Sequence, residues 1–173
     1  FVYTQDEACK HIARLRKICL ALPESSERLS HGEPTFFVGA KNGRGGKVFV
    51  SFGDDHHGDG LVAITFPAEP GAQAMLIEAD PRRFFRPKYV GSSGWVGLRL
   101  DVDLDWDEVA EIAEESWRMV APKRVVAAFE AKTGVRFKDS ATLEQALTHR
   151  SFLGCNGGDS GRSNERFEFL GDA

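Results

Sequence analysis

No apolar run in the 173-residue chain approaches the roughly 20 residues that a membrane-crossing helix needs, so no helical bilayer span is expected. The opening, FVYTQDEACK, has neither the basic nor the apolar region of a signal peptide. It also lacks methionine, which suggests that the natural start lies upstream. Cysteine is scarce: Cys9, Cys19 and Cys155 are odd in number, far apart and form no C-x-x-C. Cys9 and Cys19 fall on an amphipathic stretch where a small buried thiol is the simplest reading, and a reducing cytoplasm fits that usage best. Basic charge is not in excess either. Lys and Arg number 22 against 26 Asp and Glu, a net charge of -4, so any nucleic-acid contact must come from a local patch that the global field opposes. What is present, 42% hydrophobic and 28% charged residues, is ordinary for a soluble globular chain.

Periodicity supplies the elements. Ala8, Ile12, Leu15, Cys19 and Leu22 recur at helical spacing from a capping box at Thr4 and Glu7, and Pro23 ends the run. Three strand-like runs follow, TFFVG (35–39), KVFVSF (47–52) and LVAITF (61–66), separated by turn chemistry in AKNGRGG and GDDHHGDG. A short helix is expected at 72–79, then a strand, an exposed loop and a second strand within RRFFRPKYVGSSGWVGLRLDV. Asp105 opens a helix whose stripe is Trp106, Val109, Ile112, Ala113, Trp117 and Val120. The order α-β3-α-β2-α predicts an α+β domain over 1–122, with a largely antiparallel sheet and helices on one face. That domain is expected to fold without the rest of the chain.

Beyond Pro122 the strand signal disappears. Residues 123–132 read as a helix stopped by Gly134, DSATLEQALTHRSF as another, and NERFEFLGDA as the start of a third. Residues 123–173 therefore read as a second, all-α unit, joined to the first without a flexible linker.

Two resemblances sharpen this. LPESSERLSHGEPTFFVG, KVFVSF, RRFFRPKYVGSSGWVGLRL and DWDEVAEIAEESWRMVAPKRV make residues 1–125 similar to the MmcQ/YjbR-like family. That resemblance implies a small fold like the secretion-chaperone and frataxin-like domains, and DNA binding through a double wing of hairpins. No catalytic residues travel with it. FEAKTGVRFKDSATLEQALTHRSF followed by NERFEFLGDA resembles the opening of a ribonuclease III domain, with Phe167 where that family usually has leucine. The resemblance implies a Mg²⁺-dependent endonuclease that acts on double-stranded RNA as a homodimer. It places Glu168 and Asp172 as catalytic metal ligands, Glu165 on the substrate and dimer side, and Phe169 as a contact with the partner subunit. The family's remaining acidic ligands and its RNA-binding domain lie downstream of residue 173. The expectation is a truncated segment, inactive by itself.

The spacing has a physical logic. At about 100° per residue, Glu165, Glu168 and Asp172 stack on one side of a helix while Phe167 and Leu170 face the other. Like charges so placed destabilise a helix by a few tenths of a kcal/mol per pair, and Gly171 costs about 1 kcal/mol more. A divalent cation reverses the first penalty, because clustered oxygens are what Mg²⁺ takes. A solvated acidic face remains the plain alternative.

Other stretches compete for attention. GAKNGRGGK is no phosphate loop, since Lys41 and Val48 stand where that pattern needs glycine and Ser/Thr. It reads either as a solvated turn or as a hairpin tip presenting Lys41, Arg44 and Lys47 to phosphates. Arg82, Arg83, Arg86, Lys88 and Arg99 interleave with Phe84, Phe85, Tyr89 and Trp95, a pattern able to grip phosphates and stack bases, although aromatics in strands are usually core. Tip and patch together are expected to form one nucleic-acid-binding surface. DDHHGDG is better a polar turn than a metal site, and the eight acids of 101–115 better a solvated face than a calcium loop. The chain thus reads as a nucleic-acid-binding module fused to the start of a nuclease, with double-stranded RNA and also DNA as candidate partners. The alternative is a non-enzymatic DNA-binding or interaction module whose tail is a remnant or an artefact of gene modelling.

Overall fold

The computed structural model describes residues 5–54 and 60–134. In chain order they form α1 (Gln5–Ala21), β1 (Ser25–Ser30), β2 (Glu33–Val38), β3 (Lys47–Asp54), β4 (Val62–Pro67), α2 (Ala72–Ala79), β5 (Phe84–Phe85), β6 (Trp95–Arg99), α3 (Trp106–Val120) and α4 (Lys123–Thr133). The six strands make one sheet in the order β1-β2-β3-β4-β6-β5, with every neighbouring pair antiparallel.

The helices form where local chemistry requires them. At the head of α3 the Asp105 carboxylate accepts a hydrogen bond from the Asp107 amide at 2.9 Å, and Asp107 and Glu108 sit in the first turn, where the helix dipole favours negative charge. Val109, Ile112, Ala113 and Trp117 of its apolar stripe are buried, while Trp106 and Val120 are only partly covered. In α1, Ala8, Leu15 and Cys19 are buried. The Thr4 end of the expected capping box lies outside the described residues.

The sheet has one strand more than the periodicity predicts. SSERLS forms β1, paired residue by residue with β2 from Ser25↔Val38 to Ser30↔Glu33. Its one apolar side chain, Leu29, is 70% exposed, so no alternation marks it. The signal lies in the turn instead: His31 and Gly32 both take positive φ, 54° and 86°, the backbone of a two-residue hairpin. The domain is therefore α-β4-α-β2-α-α.

Register assigns the faces. Phe36 lies opposite Val50, Phe52 opposite Ile64, and Ile64 opposite Leu98; all are buried on the face that α1 and α3 cover. At the centre Trp117 is fully buried and donates its indole N–H to the Pro23 carbonyl at 3.1 Å.

The expected boundary at Pro122 marks a change of helix direction with no gap in packing. Val125 of α4 is 3% exposed and belongs to the same apolar cluster, and Phe129 meets the Trp117 ring edge-on at 5.2 Å. Arg118 links the two helices, bonding Glu114 at 2.7 Å and Glu130 at 3.0 Å. Removing α4 strips about 3–6 kcal/mol of apolar and aromatic contact, a large part of the roughly 5–15 kcal/mol a domain holds. Residues 1–134 should melt cooperatively. A fragment ending at 122 should melt well below it, and circular dichroism of the two decides the point.

Candidate nucleic-acid interface

Strand pairing alone brings separate basic segments to one end of the sheet. The β2–β3 connection, 39–46, leaves at the end where β2 finishes. Pro67, closing β4, lies opposite Trp95, opening β6, so that same end holds the start of β6. Phe85 of β5 lies opposite Gly97, which sends the following 86–94 loop in the same direction. Three strand spacings of about 4.8 Å separate the two loops, or about 14 Å. The start of α4 joins them, since a Cβ placed on Gly39 would meet Pro122 Cγ at 3.4 Å.

The first loop is a tight hairpin. Lys41 and Arg44 exchange both backbone hydrogen bonds, at 2.9 and 3.0 Å, around Asn42 and Gly43 with φ of 52° and 71°. An Asn-Gly pair favours this turn because both central residues must take positive φ. Lys41, Arg44 and Lys47 are all exposed. From the second loop Arg86 and Lys88 are exposed beside Tyr89, itself 74% exposed. From α4 come the exposed Lys123 and Arg124. Carboxylates lie at this end too, among them Glu115 near the close of α3, next to the Ser116 that bonds the Pro67 carbonyl. Glu69 sits in the β4–α2 connection, and Glu24 is neutralised: Arg124 bonds it at 2.7 and 3.0 Å, and those bonds, helped by nearby Lys41, hold its carboxyl below the ordinary range.

The opposite end of the sheet is acidic. Asp54 closes β3 there, and Asp101, Asp103, Asp105, Asp107 and Glu108 follow β6 into α3. Among the described residues of the sheet's loops, charge is thus divided, basic at one end and acidic at the other.

This division splits the patch expected from sequence. Arg86 and Lys88 join Lys41, Arg44 and Lys47. Arg82 and Arg83 precede β5 and lie towards the acidic end. Arg82 is turned towards Asp80, 3.8 Å away, and Arg83 is ion-paired with the buried Glu108. Arg99 is held bidentately by Asp101 at 2.9 and 2.7 Å. Of the interleaved aromatics, Phe84 is buried, Phe85 lies against Gly97, and Trp95 is half-buried; Tyr89 alone among them is exposed. Lys123 and Arg124 escaped sequence reasoning because their proximity to the tip depends on the turn at Pro122.

Glu165, Glu168, Phe169 and Asp172 lie outside the described residues, as do 55–59 of the DDHHGDG turn. Among the described residues no group of three or more His, Cys, Asp or Glu is placed to hold a metal ion, and no helix is long and apolar enough to cross a membrane. Cys19 is buried and its thiol is pushed far up by that burial, whereas Cys9 is exposed.

One carboxylate on α3 works against the fold. Burial, reinforced by Glu114 and Glu69, raises the pKa of Glu115, with Arg118 opposing. A carboxyl raised in the folded state stabilises the fold below its unfolded pKa, and that contribution is lost as pH rises through the folded value. Glu115→Gln should therefore raise the melting midpoint at neutral pH. The gain should vanish in acid below the ordinary carboxylate range, as thermal melts across pH will show.

Comparison with known proteins agrees with this architecture. A family model described as YjbR matches residues 20–119, more than half of the chain. The crystal structure of Deinococcus radiodurans protein DR2400, of family-model domain DUF419, superposes with a TM-score of 0.55 at 19% identity, covering 75% of this chain and 91% of that one. That likeness concerns the fold: mixed helices and an antiparallel sheet. Separately, 44 residues are 52% identical to Ribonuclease 3 of Dehalococcoides mccartyi, 25% of this chain and 19% of that protein. Another 45-residue match is 53% identical to Ribonuclease 3 of Geobacter metallireducens. The chain spans about a fifth of the length of the curated relatives it matches.

Proposed function

Because the chain belongs to the YjbR family, we propose that the basic end of its sheet grips the phosphate backbone of double-stranded nucleic acid. The observation that carries this is the division of charge: Lys41, Arg44 and Lys47 from one loop, Arg86 and Lys88 from another, and Lys123 and Arg124 from α4 converge, while the clustered acids of 101–108 stand at the far end. Two loops about 14 Å apart are suited to phosphates on either side of a groove, and the exposed Tyr89 ring offers a stacking face. The acidic end repels the same polyanion and so fixes which way the module docks.

The short similarity to Ribonuclease 3 extends the proposal towards double-stranded RNA. Glu168 and Asp172 supply hard carboxylate oxygens of the kind Mg²⁺ takes, though two ligands of its six. When bound, such an ion activates water and neutralises charge on a phosphate.

The test is a titration of a labelled RNA or DNA duplex at graded salt. Log affinity should fall linearly with log salt. Salt-insensitive binding, or none at low salt, rejects the reading. Mg²⁺-dependent cleavage of the RNA duplex that disappears in Glu168→Ala would support the extension towards Ribonuclease 3 chemistry.

A further inference from the structure

Each basic loop is fastened by one side chain from elsewhere in the fold. Arg28, on β1, sits over Phe37 with its guanidinium carbon 3.4 Å from the ring centroid. From there it donates to the Gly45 carbonyl at 2.7 Å and, at a longer 3.5 Å, to the Gly43 carbonyl. Those two carbonyls flank Arg44. Gln73, on α2, donates from Nε2 to the Gly91 carbonyl at 2.8 Å and the Trp95 carbonyl at 2.6 Å. Gly91 is the surface on which the Arg86 side chain lies, since a Cβ there would strike Arg86 Cγ. Each strap thus fixes the backbone beside one exposed arginine.

The first loop needs such a strap. Gly39, Asn42, Gly43, Gly45 and Gly46 all take positive φ, so five of the residues in 39–46 adopt a conformation for which glycine and asparagine are suited and few other residues are. Glycine-rich backbone is free to sample many states, and ordering it on binding costs affinity. A donor anchored over Phe37 removes much of that cost before the ligand arrives. Gln73 does the same for the second loop and carries no charge of its own.

We infer that Arg28 and Gln73 are positioning residues that pre-organise the two loops for phosphate, and that neither contacts the nucleic acid itself. This rests on the reading that the loops bind a duplex backbone. Two substitutions isolate geometry from charge: Arg28→Lys keeps the charge and loses the planar fork, and Gln73→Leu changes no charge. Affinity for a labelled duplex is measured at several salt concentrations, with melting midpoints and amide exchange at 42–45 and 90–94 alongside. Where Gln73→Leu lowers the midpoint, Gln73→Met replaces it.

Each variant should bind about five- to tenfold more weakly with an unchanged salt slope and faster exchange in its own loop. Arg44→Ala and Arg86→Ala should instead each make the slope shallower by about 1. The inference is overturned if Arg28→Lys and Gln73→Leu bind within about twofold of the parent, under 0.5 kcal/mol, while Arg44→Ala weakens binding. It is also overturned if Arg28→Ala lowers the slope while Arg28→Lys binds fully, which would make Arg28 a direct contact. If Arg44→Ala and Arg86→Ala are themselves without effect, the failure belongs to the underlying reading.

Discussion

Replacing Lys41, Arg44 and Lys47 together by alanine should nearly abolish binding to duplex nucleic acid while leaving the melting midpoint in place. All three side chains are exposed, and among the described residues no ion pair holds them, so the fold gives up little. The ligand gives up much. Each phosphate neutralised releases counterions, worth about 0.9 in the slope of log affinity against log salt; at ~0.1 M salt that is about eightfold per contact. Three contacts amount to roughly 500-fold, with a slope shallower by about 2.7. Fluorescence anisotropy against a short duplex measures both numbers at once. Lys10, on the half of α1 whose His11 and Arg14 meet Trp106 at the acidic end, serves as a control whose alanine variant should change affinity little.

The second large effect concerns a residue of the same charge and the opposite character. Arg83→Ala should destabilise the fold by about 3–5 kcal/mol, because it leaves the Glu108 carboxylate buried without its partner. The Glu108 side chain is 5% exposed and the Arg83 side chain 19%, so water reaches the pair poorly. The arginine's own Nε is buried without a hydrogen-bond partner, so the pair is imperfectly satisfied. Replacing both by apolar residues of similar size, Arg83→Met with Glu108→Leu, should recover most of the loss. Denaturant melts measure the stabilities. Below the melting transition, the affinity of folded Arg83→Ala for duplex should match that of the parent, separating a structural arginine from the binding arginines three and more residues along.

Arg83 also shows how far the sequence could be read. RRFFRPKYV displays its charges in a row, and nothing local distinguishes Arg83 from Arg86. The distinction comes from β5 pairing with β6, which sends residues before Phe84 to one end of the sheet and residues after Phe85 to the other. Pairing across the 86–94 loop, through a strand of only two residues, leaves no periodic trace. What periodicity could reveal, it did: α2 over 72–79, the α3 stripe with its Asp105 cap, and the apolar runs of β2, β3 and β4 all follow from side-chain spacing. β1 escaped because an edge strand with an exposed Leu29 has no buried face to write an alternation. Lys123 and Arg124 escaped because their place beside the hairpin tip is set by Pro122, which caps α4, packing against Gly39.

The most direct measurement is a map of backbone amide shifts as a short duplex is added to the ¹⁵N-labelled chain at low salt. The account predicts perturbations gathered at 41–47, 86–89 and 123–124, fading as salt is raised, with 101–108 unmoved. Shifts centred on 101–108, or spread evenly over the surface without regard to the two loops, would contradict it.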